Sequence, residues 1–438
     1  MNQEYMKEKP ILPLVLTMGY PMVLSMLINS LYNIIDSYFV AKISGDAMTA
    51  LSLVFPVQNL AHSVAVGFGI GINSAIAISL GEKDYEEANR AMTYGINLSV
   101  IHGLLSTIIC VLVMPNFLSM FHPTSEVLSI GLRYSNIVFL FAAINNVGVS
   151  LEKVFQSVGW MKVTMFSMMS GCLLNIIFDP ILIFGYGPFP RLEIEGAAIA
   201  TGLGQVLAVI IYIVIYKKRS IGVKYQKTPK NGQTVFRLYS VGIPATLNMA
   251  LPSVLIAALN SILVAYSQIY VLILGVYYKL QTFIYMPANG IIQGMRPIIG
   301  YNYGANEKER VQKIFQVVLK MCLGIMIVGM LLCILLPKPI ISLFSDDYVV
   351  IVRGIRALRI ICLGFAVSSI SVTASGALEG LGKGWQSLVI SLLRYVVLII
   401  PVAWLLSFIL GPEGVWWAFV LTEIITAGIS LLIYKKTV

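Results

Sequence analysis

The sequence predicts an all-α membrane protein of about twelve transmembrane helices, arranged as two six-helix lobes related by internal duplication. Three observations carry that reading. The 438 residues are 58% hydrophobic and only 11% charged, with a mean hydropathy of +0.85, whereas soluble domains carry about 25% charged residues. Apolar runs of the length that crosses a bilayer, roughly 20 residues, recur along the chain. The turn and packing residues also repeat: Gly19 and Gly242, Pro21 and Pro244, Gly67 and Gly290, Gly71 and Gly294, Gly81 and Gly304, and Gly159 and Gly382 are each 223 residues apart. The offset falls to 218 at Glu195 and Glu413, Gly196 and Gly414, and Ala200 and Ala418, so the first copy holds a short insertion around Tyr186 to Glu193. Each copy has an even number of helices, so the lobes run parallel, as in carriers whose site lies between two bundles that rock about it.

Taken in order, the first copy places helices near 12–40, 50–80, 92–115, 129–151, 163–184 and 196–216. The second places them near 239–264, 270–300, 315–336, 356–378, 387–409 and 414–434. Residues 1–10 are polar, and the apolar run that follows reaches Val40, too long for a cleaved signal segment. It is expected to remain as the first helix. The segment from Lys217 to Arg237 has seven basic residues and no acid. It reads as a cytoplasmic linker over 217–237 between lobes at 1–216 and 238–438. Of the 30 Lys and Arg, 19 fall on the side of the termini and five in the opposite loops. The positive-inside rule therefore predicts a multi-pass protein of the cell membrane with both termini cytoplasmic.

The net charge of +10 is a topology signal and not a nucleic-acid footprint, because the bases sit between apolar segments. Cys110, Cys172, Cys322, Cys333 and Cys362 fall in apolar runs without paired spacing and read as reduced core thiols. His62, His102 and His122 share no metal spacing, and there is no phosphate-loop or HExxH pattern. Gly67-Phe-Gly-Ile-Gly71 lies in an apolar run with no strand before it, so it reads as close helix packing. No ATP site and no enzyme chemistry are expected.

One stretch stands out, Met165 to Phe184, because it can cross a bilayer and carries Asp179 inside its apolar run. A carboxylate there costs about 2.5–3.5 kcal/mol or more to insert, so it marks a functional site by default. Against this stands a structural role, as a helix cap or packing lock. Asn175 lies four residues earlier on the same helical face and offers an amide oxygen. Pro180 follows and frees a backbone carbonyl about a turn back. Asp36 is the only charge between Lys9 and Lys42. If Asp36 and Asp179 meet without a base, they must share a proton or a metal ion.

The residues that organise the repeat resemble the multidrug and toxic compound extrusion (MATE) transporters, and within them the bacterial MepA-like branch. The resemblance is carried by KLQTFIYMPANGIIQGMRPIIGYNYGA (Lys279 to Ala305) and its twin PVQNLAHSVAVGFGIGINSAIAISLGE (Pro56 to Glu82). RYVVLIIPVAWLL (Arg394 to Leu406) and EGVWWAFVLTEI (Glu413 to Ile424) add to it. It implies the MATE fold, a central V-shaped cavity, and efflux of amphipathic, often cationic compounds in exchange for Na⁺ or H⁺, with no other cofactor. It also implies a cation site built from an acid on the first helix, an Asn and Asp four apart on the fifth, and a Thr on the sixth. The matching residues are Asp36, Asn175, Asp179 and Thr201, with Asn33 one turn before Asp36 as a neighbour. Some members use acids on helices seven and ten; here neither predicted helix contains one, which argues against a second-lobe cation site.

Other polar residues are assigned more loosely. Lys279 and Arg394 fall in apolar helices of the second lobe and either line the cavity or are held structurally. Glu423 reads as a structural lock. Glu152 and Glu379 read as solvated helix ends. Met165, Met168 and Met169 are core, or an adaptable surface suited to varied substrates. Met165, Met169, Lys279 and Arg394 are thus the candidate cavity lining. The expected partners are small organic, often cationic substrates and the lipid bilayer, with the chain acting as a monomer. Two rivals share some of these features. A lipid-linked oligosaccharide flippase would use Lys279, Arg296 and Arg394 as a pyrophosphate pocket. An intramembrane aspartyl protease would use Asp36 and Asp179 as its dyad, but the GxGD sequence is absent and proteolysis does not explain a twofold repeat.

Overall fold

Capping and turn residues set the element boundaries, and they repeat with the same register as the glycines. In the computed structural model, which describes residues 3–227, 229 and 231–438, the helices are α1 (Ile11–Ala41), α2 (Gly45–Gly81) and α3 (Tyr85–Ser119). Next come α4, in two segments (Ser125–Leu140 and Ala142–Ser157), α5 (Met161–Phe184) and α6 (Ile194–Lys218). The second copy comprises α7 (Gly232–Val264), α8 (Gln268–Gly304) and α9 (Lys308–Leu335). It continues with α10, again in two segments (Tyr348–Ile361 and Leu363–Gly380), α11 (Gly384–Leu410) and α12 (Pro412–Thr437). Ser44 caps α2 and Ser267 caps α8, while Thr124 caps α4 and Asp347 caps α10; each side-chain oxygen accepts a first-turn backbone N–H. Both pairs are 223 apart. So are the left-handed turns: Lys83 (φ 61°) with Asn306 (φ 60°), and Gly159 (φ 83°) with Gly382 (φ 75°).

Among the described residues, ten helices are individually long and apolar enough to span a membrane. The two segments of α4, bent by 45°, make an eleventh span. The segmented α10 stands at the duplication offset from α4 and completes the repeat. The lipid-facing surface is plain in α3, where only 17% of the most apolar window is buried and Leu104, Leu105, Ile108, Ile109 and Leu112 are exposed. All five cysteines are free.

The repeated glycines are where the two lobes touch. A Cβ at Gly294 would fall 2.6 Å from the Gly19 nitrogen and one at Gly290 2.7 Å from Val23 Cα, joining α8 to α1. Their counterparts do the same for α2 and α7: a Cβ at Gly67 would lie 2.5 Å from the Thr246 nitrogen, and one at Gly71 would strike the Leu238 carbonyl. Gly81 and Gly304 abut the carbonyls of Tyr301 and Ile78, closing α2 against α8. With no side chain in the way, the backbones approach and dispersion contacts accumulate.

This seam lies towards the termini. There the Ser74 hydroxyl donates to the Gly380 carbonyl (3.2 Å), Asn302 Nδ2 to the Met6 carbonyl (3.1 Å) and Thr234 to Glu87 (2.8 Å), and Lys7 pairs with Glu307 (2.7 Å). At the other end the lobes splay. Beyond Ser25, α1 buries only Asp36 and Val40, and the first half of α2 buries only Ala47, Ala50 and Val54. The molecule is therefore closed at the end of the termini and open at the other.

The basic connector is not a loose tether. Residues 217–218 belong to α6, α7 begins at Gly232, and Ile221 and Val223 are buried. The Lys224 and Gln226 nitrogens donate to Asn89 and Thr93, and the Tyr94 hydroxyl donates to the Pro229 carbonyl. Thr228 and Lys230 lie outside the described residues.

Candidate functional site

In the open half of the first lobe, α1, α5 and α6 bring Asp36, Asp179, Asn175 and Thr201 together. All four are buried, Asp179 completely. Asp179 and Asn175 share a face of α5 because they stand one turn apart, and the Asn175 amide donates to the Thr201 hydroxyl across to α6 (3.2 Å). The Asp36 and Asp179 carboxyls face each other within hydrogen-bonding reach. The Asn175 amide also lies near Asp179, but no donor stands in hydrogen-bonding geometry to Asp36 Oδ1, either oxygen of Asp179, or Asn175 Oδ1. Neither acid joins any ion pair among the described residues.

Buried polar groups nearly always find partners, and stranded charges cost several kcal/mol. Four donorless oxygens in one place therefore call for a bound proton or a hard cation. The described residues hold no group of three His, Cys, Asp or Glu placed to take a metal, so a cation here would rest on two carboxylates and neutral oxygens. Two tyrosines complete the wall: Tyr32 sits beside Thr201 and Asp36, and Tyr134 beside Gln58 and Asp36. Tyr32 was findable, because it stands four residues before Asp36 on the same face of α1. Asn33, three residues before, is instead exposed and turns its amide back to the Asn29 carbonyl (2.7 Å). It is not brought into the cluster.

The second lobe handles charge differently. Arg394 sits on a π-turn, Leu393–Val397, within α11. Its Nε and Nη2 reach Glu423 Oε1 on α12 at 2.7 and 2.6 Å. The pair is buried and borders a cavity of about 350 Å³ that Met26, Tyr278, Tyr285, Asn289, Tyr395 and Phe419 also line. Lys279 is exposed and borders a separate depression with Asn260 and Phe344. Met165 and Met169 are partly buried on α5 and border neither space.

Glu379 is not a solvated helix end. It is the penultimate residue of α10, so that helix does carry an acid where none was expected, and it is only 4% exposed, paired with Arg296 (2.7 Å) and accepting from Asn248 (3.0 Å). Glu152 is partly buried, bonded to Lys153 (2.8 Å) and Gln156 (2.7 Å). The sequence showed each acid near the end of an apolar run, but packing of α7 and α8 over α10 is a long-range event. Lys279, Arg296 and Arg394 thus occupy three different places and form no common pyrophosphate pocket.

An all-helical membrane protein of two duplicated lobes, with a buried acid pair in the first and a cavity lined mostly by the second, has the architecture of a small-molecule carrier. The family profile MatE matches residues 21–181 and 244–405, one copy in each lobe. The chain belongs to the MATE family of multidrug efflux transporters. It is 26% identical over 98% of its length to the multidrug export protein MepA of Staphylococcus aureus (strain MRSA252), of which 94% is covered. It is 27% identical, with the same coverage of both chains, to MepA of Staphylococcus haemolyticus (strain JCSC1435). Its fold matches the outward-facing conformation of a multidrug resistance MATE family transporter of the MOP superfamily, with a TM-score of 0.91 and 22% identity, over all of this chain and 97% of that one.

Proposed function

We propose that this protein exports amphipathic, often cationic organic compounds in exchange for Na⁺ or H⁺, with Asp36, Asp179, Asn175 and Thr201 holding the coupling cation. The observation that carries the proposal is the set of four buried oxygens without a donor. They create an affinity for positive charge that a drug bound elsewhere can oppose by biasing the lobes toward the other state. Drug and cation then weaken one another's binding by the same factor, as linkage requires. A cation moving down the membrane potential supplies about 2.3 kcal/mol per 100 mV, enough for a roughly 50-fold gradient of a neutral compound.

The excess of bases on the side of the termini supports a cytoplasmic location for both ends. In that orientation the seam of repeated glycines closes the cytoplasmic side and the splayed half opens outward. The chain works as a monomer in this reading, since both halves of the rocking pair lie in one polypeptide.

Purified protein in liposomes, loaded with a fluorescent organic cation and given Na⁺ or pH gradients in turn, tests the coupling. Efflux driven by one ion alone names that ion; efflux indifferent to both would sink the antiport reading. Orientation is tested with cysteines at exposed Lys227 and Lys42. In intact cells an impermeant thiol reagent should label Lys42→Cys and spare Lys227→Cys, and the reverse pattern would invert the topology.

A further inference from the structure

The residues just before α1 form a strap across the closed end. Their one helical turn, Tyr5–Glu8, carries Met6, which is fully buried. One side of the strap is fastened to the first lobe and the connector. The Tyr5 hydroxyl donates to the Gly159 carbonyl (3.2 Å), in the left-handed turn between α4 and α5, and Gln3 Nε2 donates to the Ile221 carbonyl (3.0 Å). A Cβ at Gly159 would overlap the Tyr5 hydroxyl. The other side is fastened to the second lobe at the turn between α8 and α9. Asn302 Nδ2 (3.1 Å) and Arg310 Nε and Nη2 (3.4 and 3.2 Å) donate to the Met6 carbonyl. Arg310 Nη2 also donates to the Lys9 carbonyl, and Lys7 pairs with Glu307 (2.7 Å).

The duplication shows what the strap does. Asn302 and Arg310 stand 223 residues after Ser79 and Glu87, which hold the other crossing between the lobes. There Arg237 Nη1 donates to Ser79 (3.1 Å) and the Thr234 hydroxyl to Glu87 (2.8 Å). Met6 stands 223 before Pro229, whose carbonyl accepts from Tyr94 on α3 (2.7 Å). The strap and the end of the connector are therefore one element in two copies, each leading into the first helix of one lobe while held by the second and third helices of the other. They differ in how they are tied. The connector is covalent with both lobes, whereas the strap is covalent with α1 and holds the second lobe only through hydrogen bonds and one ion pair.

We propose that the segment from Gln3 to Lys9 is a releasable latch that holds the lobes together at the end of the termini and so favours the state open at the opposite end. The latch presupposes the rocking lobes of the efflux reading above and adds what weights their two states. Rocking to the other state parts α1 from the turn between α8 and α9, so one fastening or the other must break. The bonds of the strap thus act on one side of the equilibrium only. The Arg310 fork on two carbonyls contributes most, because a charged donor bonds more strongly than a neutral one. The Lys7–Glu307 pair is exposed and contributes little.

Ser74 lies in the seam, 1% exposed, with its hydroxyl on the Gly380 carbonyl, so a thiol there reports parting of the lobes. Purified full-length Ser74→Cys protein in detergent is labelled with a maleimide dye, and the same protein without that substitution gives the background from the five native thiols. Arg310→Gln should raise the labelling rate about tenfold and Tyr5→Phe about fivefold. Arg310→Lys keeps the charge and loses the fork, so its rate should fall between those of Arg310→Gln and the parent. Since release at either fastening suffices, combining Tyr5→Phe with Arg310→Gln should fall well short of the product of the two single effects. Unchanged labelling in both single variants, or a double variant that reaches the product, overturns the latch. Tyr5→Phe removes one atom, and native thiols that stay as slow as in the parent show that the fold is intact. No drug or ion gradient enters the measurement, so a failure of antiport would leave these rates as they are, and a flat result would remove the latch and leave antiport standing.

Discussion

The two lobes share one scaffold and differ in how they handle buried charge. Counting 223 residues on from Asp36, Asn175 and Asp179 leads to Leu259, Leu398 and Val402, and 218 on from Thr201 to Phe419. Every member of the acid cluster corresponds to an apolar residue in the other copy. In the reverse direction, Arg394 and Glu423 correspond to Gly171 and Gln205. The caps, left-handed turns and seam glycines match between copies, while the buried charges do not. The repeated residues hold the two bundles in register, whereas the unrepeated ones give each bundle its own pattern of buried charge. In the first lobe the acid pair Asp36 and Asp179 has no base beside it; in the second, among the described residues, the buried acids are each paired, Glu379 with Arg296 and Glu423 with Arg394.

Removing the acids should break this contrast most severely. Asp179→Asn, and equally Asp36→Asn, keeps the shape and removes the charge, so the protein should reach the membrane at normal levels while efflux falls to background. Full drug resistance from either variant would take that residue out of the mechanism.

In the second lobe the corresponding change should act on stability before transport. Arg394→Met alone strands Glu423 and should cost about 3–5 kcal/mol, seen as a lower melting temperature in detergent. Adding Glu423→Gln should restore most of it. A double variant no more stable than the single would mean the pair is not coupled as its 2.6 Å contact implies.

Smaller effects are expected from the neutral ligands. Thr201→Ala or Asn175→Ala removes one oxygen from the cluster and should weaken cation binding about tenfold while some transport persists. A loss as complete as in the Asp variants would point to misfolding. Asn33→Ala should do least, within about 0.5 kcal/mol in stability and with unchanged coupling, because its amide serves only the Asn29 carbonyl. A clear change in cation affinity there would return Asn33 to the site.

The class, the helices, the duplication and the two isolated acids, Asp36 and Asp179, were legible in the linear sequence. Those features are local or periodic: an apolar run, an isolated carboxylate within it, a glycine recurring at a fixed offset. The glycine register in particular already encoded the lobe seam, since backbones approach closely only where no Cβ intervenes. What the tertiary structure alone decided is which polar groups meet. Tyr32 and Asn33 are neighbours in the chain, yet the rotation of α1 against α5 and α6 sends one to the acids and the other away. Arg394 and Glu423 lie 29 residues apart on different helices, joined through a π-turn that no hydropathy pattern announces. Glu379 likewise reads as a solvated terminus until α7 and α8 cover it with Asn248 and Arg296. Partner choice depends on helix rotation and packing summed over distant residues, which a linear pattern of apolar and polar positions does not record.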